Sequence, residues 1–254
     1  MSDPSCRAGC GELPPRSGRP VNAPGCHNDE EEDPYFVTCA ICDIRKEKRF
    51  CPAVHGRICA QCCGEQREVT LDCSSDCPYL QQARAHDKPR SASDLEPAAL
   101  FLQVELEDQL LYEHEHLILG LSFALSRSAR ANRDLSDRDL IVGLTSLARS
   151  YERLVNSGLH YEEPAQGLGQ QAVVADLQNM VSEYRETEQK HAGYSRLRDS
   201  DVLQALVFLV RMAHVRTSGR PKSRAFVDFL FAQFPERQST LVTSEAPAGR
   251  IIVP

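Results

Sequence analysis

Eight cysteines fall within residues 39–77, and no other feature limits what this chain can fold into as tightly. They are Cys39, Cys42, Cys51, Cys59, Cys62, Cys63, Cys73 and Cys77. Cys39-x2-Cys42 and Cys59-x2-Cys62 are separated by sixteen residues, the spacing of a zinc site with four cysteine ligands. A Cys-x-x-Cys turn aims two thiolates at one ion, and a second such turn completes a tetrahedron with metal–sulfur bonds of about 2.3 Å. Adjacent residues rarely point the same way, so Cys62 and Cys63 are expected to serve different ions. Cys73 and Cys77 then supply two ligands to a second site, closed by Cys51 and Cys63. His55, four residues after Cys51, is an alternative ligand for one of them. The interleaved order predicts a cross-brace holding two zinc ions. Gly64, just after the second pair, is read as the source of backbone freedom for a tight knuckle. A module this small has too little core to fold alone, so metal binding is expected to supply most of its stability.

The compartment decides between metal and disulfides. The opening Met-Ser-Asp-Pro-Ser-Cys-Arg has no apolar run of the kind a secretory signal needs. The longest apolar stretch, around Leu117–Leu125, is about half the ~20 residues required to span a bilayer. The expectation is a soluble, cytoplasmic protein with no membrane contact, in which closely spaced cysteines are metal ligands rather than staples. Iron–sulfur clusters also take four thiolates, but this spacing differs from ferredoxin runs. A thiol switch needs an exposed, acidic thiol, whereas eight cysteines in 39 residues suggest full coordination. Catalytic zinc sites keep an open position and favour His or carboxylate ligands, which this module barely offers.

The run Cys51-Pro-Ala-x4-Ile58-Cys59-x2-Cys62-Cys63-Gly64-x2-Arg67-Glu68, followed by Cys73-x2-Asp76-Cys77-Pro78-Tyr79-Leu80, resembles a signature of uncharacterised bacterial cysteine-rich proteins. The resemblance covers mainly residues 39–80. It implies metal binding, a bacterial origin and a helical region after the module, and it carries no known activity. The ligand order also loosely resembles cross-brace zinc fingers of the MYND and HIT kinds, which bind protein partners. This chain lacks their terminal His.

Outside the module the pattern is that of a tail, a linker and a bundle. Residues 1–38 are rich in Pro, Gly, Ser and acidic groups and are expected to be disordered; the irregular spacing of Cys6, Cys10, Cys26 and His27 suggests no site. Pro78 opens a short helix to His86, and 81–94 carries its end and a linker. Residues 95–237 read as an α-helical bundle of about five helices, so the fold class is mainly α. Ala98–Arg127 carries an apolar face through Leu102, Leu106, Leu110, Leu117 and Leu121. Ser136 with Asp139 is a capping box that starts a helix to about Asn156, and Gly158 follows in the C′ region. Gln170–His191 is amphipathic, Asp201–Val215 is nearly all apolar, and a last helix runs from Pro221 to Pro235. Only Glu68–Asp72 alternates like a strand. Aromatic content is 6% with no Trp, so the core must be aliphatic. Residues 238–254 read as a flexible tail.

Three weaker signals complete the reading. Arg45, Lys46, Lys48 and Arg49 form a basic loop that could contact phosphates. Residues 39–90 hold nine Lys and Arg against seven Asp and Glu, and the whole chain carries −7, so nucleic acid is not favoured. Glu113 with His116 and Glu188 with His191 are Glu-x-x-His pairs of the di-iron type, for which Glu105, Glu152 and Asp176 are available further carboxylates. Tyr151, Tyr161 and Tyr184 with Glu162 and Glu163 could line a groove, though core-edge tyrosines are the simpler reading. No phosphate-binding loop or nucleophile elbow is present. The sequence thus predicts a zinc-binding protein-interaction or regulatory module on a helical bundle. A nucleic-acid regulator and a di-iron enzyme are the alternatives.

Overall fold

A computed structural model of the chain describes residues 37–87, 95, 97–106, 109–159 and 167–236. The expectations for residues 1–36, the linker 88–94 and the tail 238–254 lie outside the described residues, as do Tyr161, Glu162 and Glu163. The chain is mainly helical. A small cysteine-rich module contains the antiparallel pair β1 (Arg49–Cys51) and β2 (Gly56–Ile58), then α1 (Ala60–Gln66) and α2 (Pro78–His86). After a single-turn α3 (Leu110–Glu113) come five longer helices: α4 (Glu115–Ala131), α5 (Asp137–Ser157), α6 (Leu168–Ala192), α7 (Asp199–Arg216) and α8 (Ala225–Gln233).

The bundle core is aliphatic, as a chain without Trp requires. α5 and α7 form its central pair, and α4 and α6 pack beside them. Val202, Ala205, Leu206, Val207, Leu209 and Val210 are all fully buried, which is why α7 reads as apolar on every face. Gly143 lets α6 approach α5, since a Cβ there would sit 2.8 Å from Val173 Cγ1. The Ser136 amide and hydroxyl both donate to the Asp139 carboxylate, at 3.0 and 2.7 Å, and Gly158 ends α5 with φ 70°.

Three elements differ from the sequence pattern, each for a local reason. Ala98–Arg127 is not one helix. Arg211 on α7 donates to the carbonyls of Leu100, Phe101 and Val104, each at 2.8 Å, and Phe101 turns with φ 49°. The chain here folds as a turn held by that guanidinium, in which the Phe101 carbonyl also accepts the Val104 amide at 2.9 Å, and Leu102 is left exposed. The strand-like Glu68–Asp72 is a turn, because Glu68 adopts φ 53° and Arg67 bridges Leu71. The strands lie instead at β1 and β2, too short to show alternation. The last helix starts at Ala225 rather than Pro221.

Asp137 sets that start. It is fully buried on α5, and one carboxylate oxygen accepts the amides of Phe226 and Val227 at 3.1 and 3.0 Å. The other accepts the Ser223 hydroxyl at 2.7 Å. A residue far away in sequence therefore caps α8. Replacing it leaves buried donors unpaired, so Asp137→Ala is expected to lower the unfolding free energy by about 2–4 kcal/mol. Denaturant melts of the full chain check this, and a change under 1 kcal/mol would contradict the capping role.

Candidate metal centre

The first cysteine pair sits in a turn closed by main-chain bonds. The Cys39 amide donates to the Arg45 carbonyl at 2.8 Å, the Asp43 amide donates to the Cys39 carbonyl at 2.9 Å, and Asp43 reverses the chain with φ 53°. Thr38, assigned by sequence to the tail, pairs with Lys46. The Ala40 amide reaches the Arg57 carbonyl at 3.0 Å and ties this turn to β2. β2 leads directly into Cys59, the N-cap of α1, whose sulfur accepts the Cys62 amide at 3.3 Å. The Cys59 amide in turn donates to Cys39 Sγ at 3.1 Å. Gly64 lies inside α1 with open space around it, so the knuckle does not need it. The left-handed residues are Asp43, His55 and Glu68.

These elements bring Cys39, Cys42, Cys59 and Cys62 together with all four sulfurs within 4.8 Å of one another. Metal–sulfur bonds of about 2.3 Å give a tetrahedron with edges near 3.8 Å, so the quartet fits a single ion with a small contraction. Its electrostatics point the same way. Burial pushes the Cys39 thiol up, but amide hydrogen bonds from Cys59, Cys42 and Ile41 outweigh it and hold it at about 6. The Cys62 amide lowers Cys59, and the hydrogen bond shared with Cys59, then burial, pushes Cys62 up to about 12. The protein thus prepares thiolates but cannot ionise the whole quartet unaided. A divalent cation removes that conflict by deprotonating its ligands outright. Arg45 adds outer positive charge, with Nη1 3.9 Å from the sulfurs of both Cys59 and Cys62.

The other four cysteines line a second, smaller cavity of about 20 Å³, room for one water or one ion. Cys51 closes β1, Cys63 follows Cys62 on α1, and Cys77 is the N-cap residue of α2. Arg49 Nη1 and Arg67 Nη2 lie 3.6 and 4.0 Å from Cys63 Sγ. Burial raises the Cys73 thiol, and Cys51 and Cys77 add to the rise through their proximity. These sulfurs are not drawn within 4.8 Å of one another as the first quartet is. His55 is exposed, at the end of the turn that joins β1 to β2, and does not line this cavity.

The alternatives fare differently. Arg45 and Arg49 turn their guanidinium groups onto sulfur, Arg49 also lies 4.4 Å over the Tyr79 ring, and Glu47 pairs with Arg57. Lys46 and Lys48 remain exposed. Glu113 and His116 lie on different helices, broken at His114. Glu188 accepts the amides of Arg196 and Leu197 and the Ser195 hydroxyl, which closes the turn after α6, and His191 is exposed. Glu105 is exposed, Glu152 accepts from Gln103 and Asp176 pairs with Arg127 and Ser128. His116, Glu188 and His191 do border one open hollow of about 690 Å³. Among the described residues, however, the cysteine quartet alone forms a metal-sized group. Tyr151 and Tyr184 pack at the core edge, where burial pushes both phenols up.

No family model matches the chain, and no curated protein or solved structure matches it either. No helix among the described residues is long and apolar enough to cross a membrane. In the sequence Arg45 and Arg49 read only as a basic loop, the same whether it faces solvent or sulfur, and the structure sets them against the thiols. In a cobalt(II) titration of the reduced chain, Cys39→Ser should remove the first quartet's share of sulfur-to-metal absorbance. Arg45→Met should weaken that site by about 10- to 100-fold, the usual cost of losing an outer partner. His55→Ala should leave the spectrum unchanged; a loss would put imidazole among the ligands.

Proposed function

We propose that residues 39–77 bind two structural zinc ions, one at Cys39, Cys42, Cys59 and Cys62 and one at Cys51, Cys63, Cys73 and Cys77. The resulting rigid module serves as a protein-interaction or regulatory unit carried on the helical bundle. The observation that carries the metal reading is the convergence of four sulfurs within 4.8 Å, on amide donors and an arginine. All-thiolate ligand sets suit closed structural sites, which hold shape and leave no coordination position for substrate.

Support for the interaction role comes from what the module leaves uncovered. Val37, Ile44 and Phe50 are 52%, 78% and 56% exposed, so the module offers apolar side chains that a partner could cover. The engagement of Arg45 and Arg49 with sulfur weakens the nucleic-acid alternative, and the engagement of Glu188 in the turn after α6 weakens the di-iron one.

Elemental analysis of the reduced chain should find about two zinc and no iron per polypeptide. Immobilised chain should hold a protein from its own cell extract through moderate salt. Ile44→Asp with Phe50→Asp should abolish that capture at unchanged zinc content. Capture that survives both substitutions would move the interface off the module.

A further inference from the structure

The hydrogen bonds and ion pairs that join the module to the bundle are made, among the described residues, by the stretch from Gly64 to Arg84. Its centre is Glu68, whose side chain is 3% exposed. That carboxylate accepts Arg84 Nη2 at 2.7 Å and the Ser218 hydroxyl at 3.0 Å, and the Glu68 carbonyl accepts the Lys222 amide at 2.8 Å. Arg84 continues to Asp228 on α8 at 2.6 Å, and the Ser75 hydroxyl reaches the same carboxylate at 2.6 Å. From the bundle side, Arg220 Nη1 donates to the Arg67 carbonyl at 2.7 Å.

This junction is polar and partly dry. A buried carboxylate gains from its cation only where the geometry is held, because both charges have left water. Three cysteines of the second cavity punctuate the stretch that carries this geometry. Cys63 precedes the stretch, Cys73 ends its loop, and Cys77 starts the helix that presents Arg84. The first quartet instead lies in 37–62, which has its own main-chain ties between the Cys39 turn, β2 and α1.

We propose that the ion at Cys51, Cys63, Cys73 and Cys77 fastens the module to the bundle, so that its loss alone undocks residues 64–86 from α8 and the 217–224 loop. The inference rests on the two-ion reading above. The fastening site is also the one that meets an open cleft. Cys73 borders a cleft of about 1380 Å³ beside Arg84 and Asp228, and Cys73 and Cys77 are half-buried while Cys51 and Cys63 are buried. In the first quartet Cys42 is half-buried and Cys39, Cys59 and Cys62 are buried, and none of them borders that cleft. A chelator entering the cleft takes the fastening ion first, and the freed thiolates take up protons from water.

The test is stepwise chelation of the zinc-loaded full chain, with released zinc counted and amide hydrogen exchange read by peptide. Release of the first equivalent should speed exchange in 64–86 and 217–231 at least tenfold while 46–62 stays protected. Cys73→Ser with Cys77→Ser should show the same pattern at one zinc per chain, and Cys39→Ser with Cys42→Ser should keep the junction protected. Two zinc with a junction that ignores the first release overturns the proposal and leaves the two-ion reading standing. Simultaneous loss of protection in both stretches also overturns it. A parent chain that holds one zinc fails the two-ion reading and this proposal together.

Discussion

Four sulfur atoms held within 4.8 Å repel one another as thiolates and are poor hydrogen-bond partners as thiols, and the N-terminal module of this structure depends on how that conflict is resolved. The buried centre of the module consists of Cys39, Cys51, Cys59, Cys62 and Cys63 with Ile58 and Leu71 beside them, and Leu80 of α2 is buried nearby. So few aliphatic side chains do not stabilise an independent fold at this size. A cation at the sulfurs does, because it turns repulsion into coordination and couples its binding free energy to folding. The amides of Cys59 and Cys62 and the guanidinium of Arg45 already point at the sulfurs. They are placed for thiolates, and their arrangement favours the charged state that a metal requires.

The bundle has a different physical basis. Its core is built from aliphatic side chains with Phe101 and Phe226 among them, and polar side chains within and beside it tie its elements together. Asp137 caps α8 across the core, and Arg211 gathers three carbonyls into the turn before α3. The two halves meet through Glu68, Arg84 and Asp228, where bonding depends on position more than on area.

Local patterns were legible where a short stretch of chain determined them. The capping box at Ser136, Gly158 at the end of α5, the all-round apolar α7 and the first cysteine quartet follow from spacing alone. What escaped the sequence was set by distant partners. Arg211 breaks a helix some hundred residues before it, and Asp137 decides where α8 begins. Glu68 alternates with its neighbours like a strand residue, yet its buried bond to Arg84 requires a left-handed turn. The basic loop suggested nucleic acid because composition gives a charge but no direction, and Arg45 and Arg49 point at sulfur.

Closed, all-thiolate coordination at these sulfurs can be read by X-ray absorption at the zinc edge of the purified chain. Two structural sites of this kind require four sulfur neighbours per zinc at about 2.3 Å and no nitrogen or oxygen shell. A nitrogen or oxygen contribution near 2.0–2.1 Å would contradict it by showing an open or histidine-containing site.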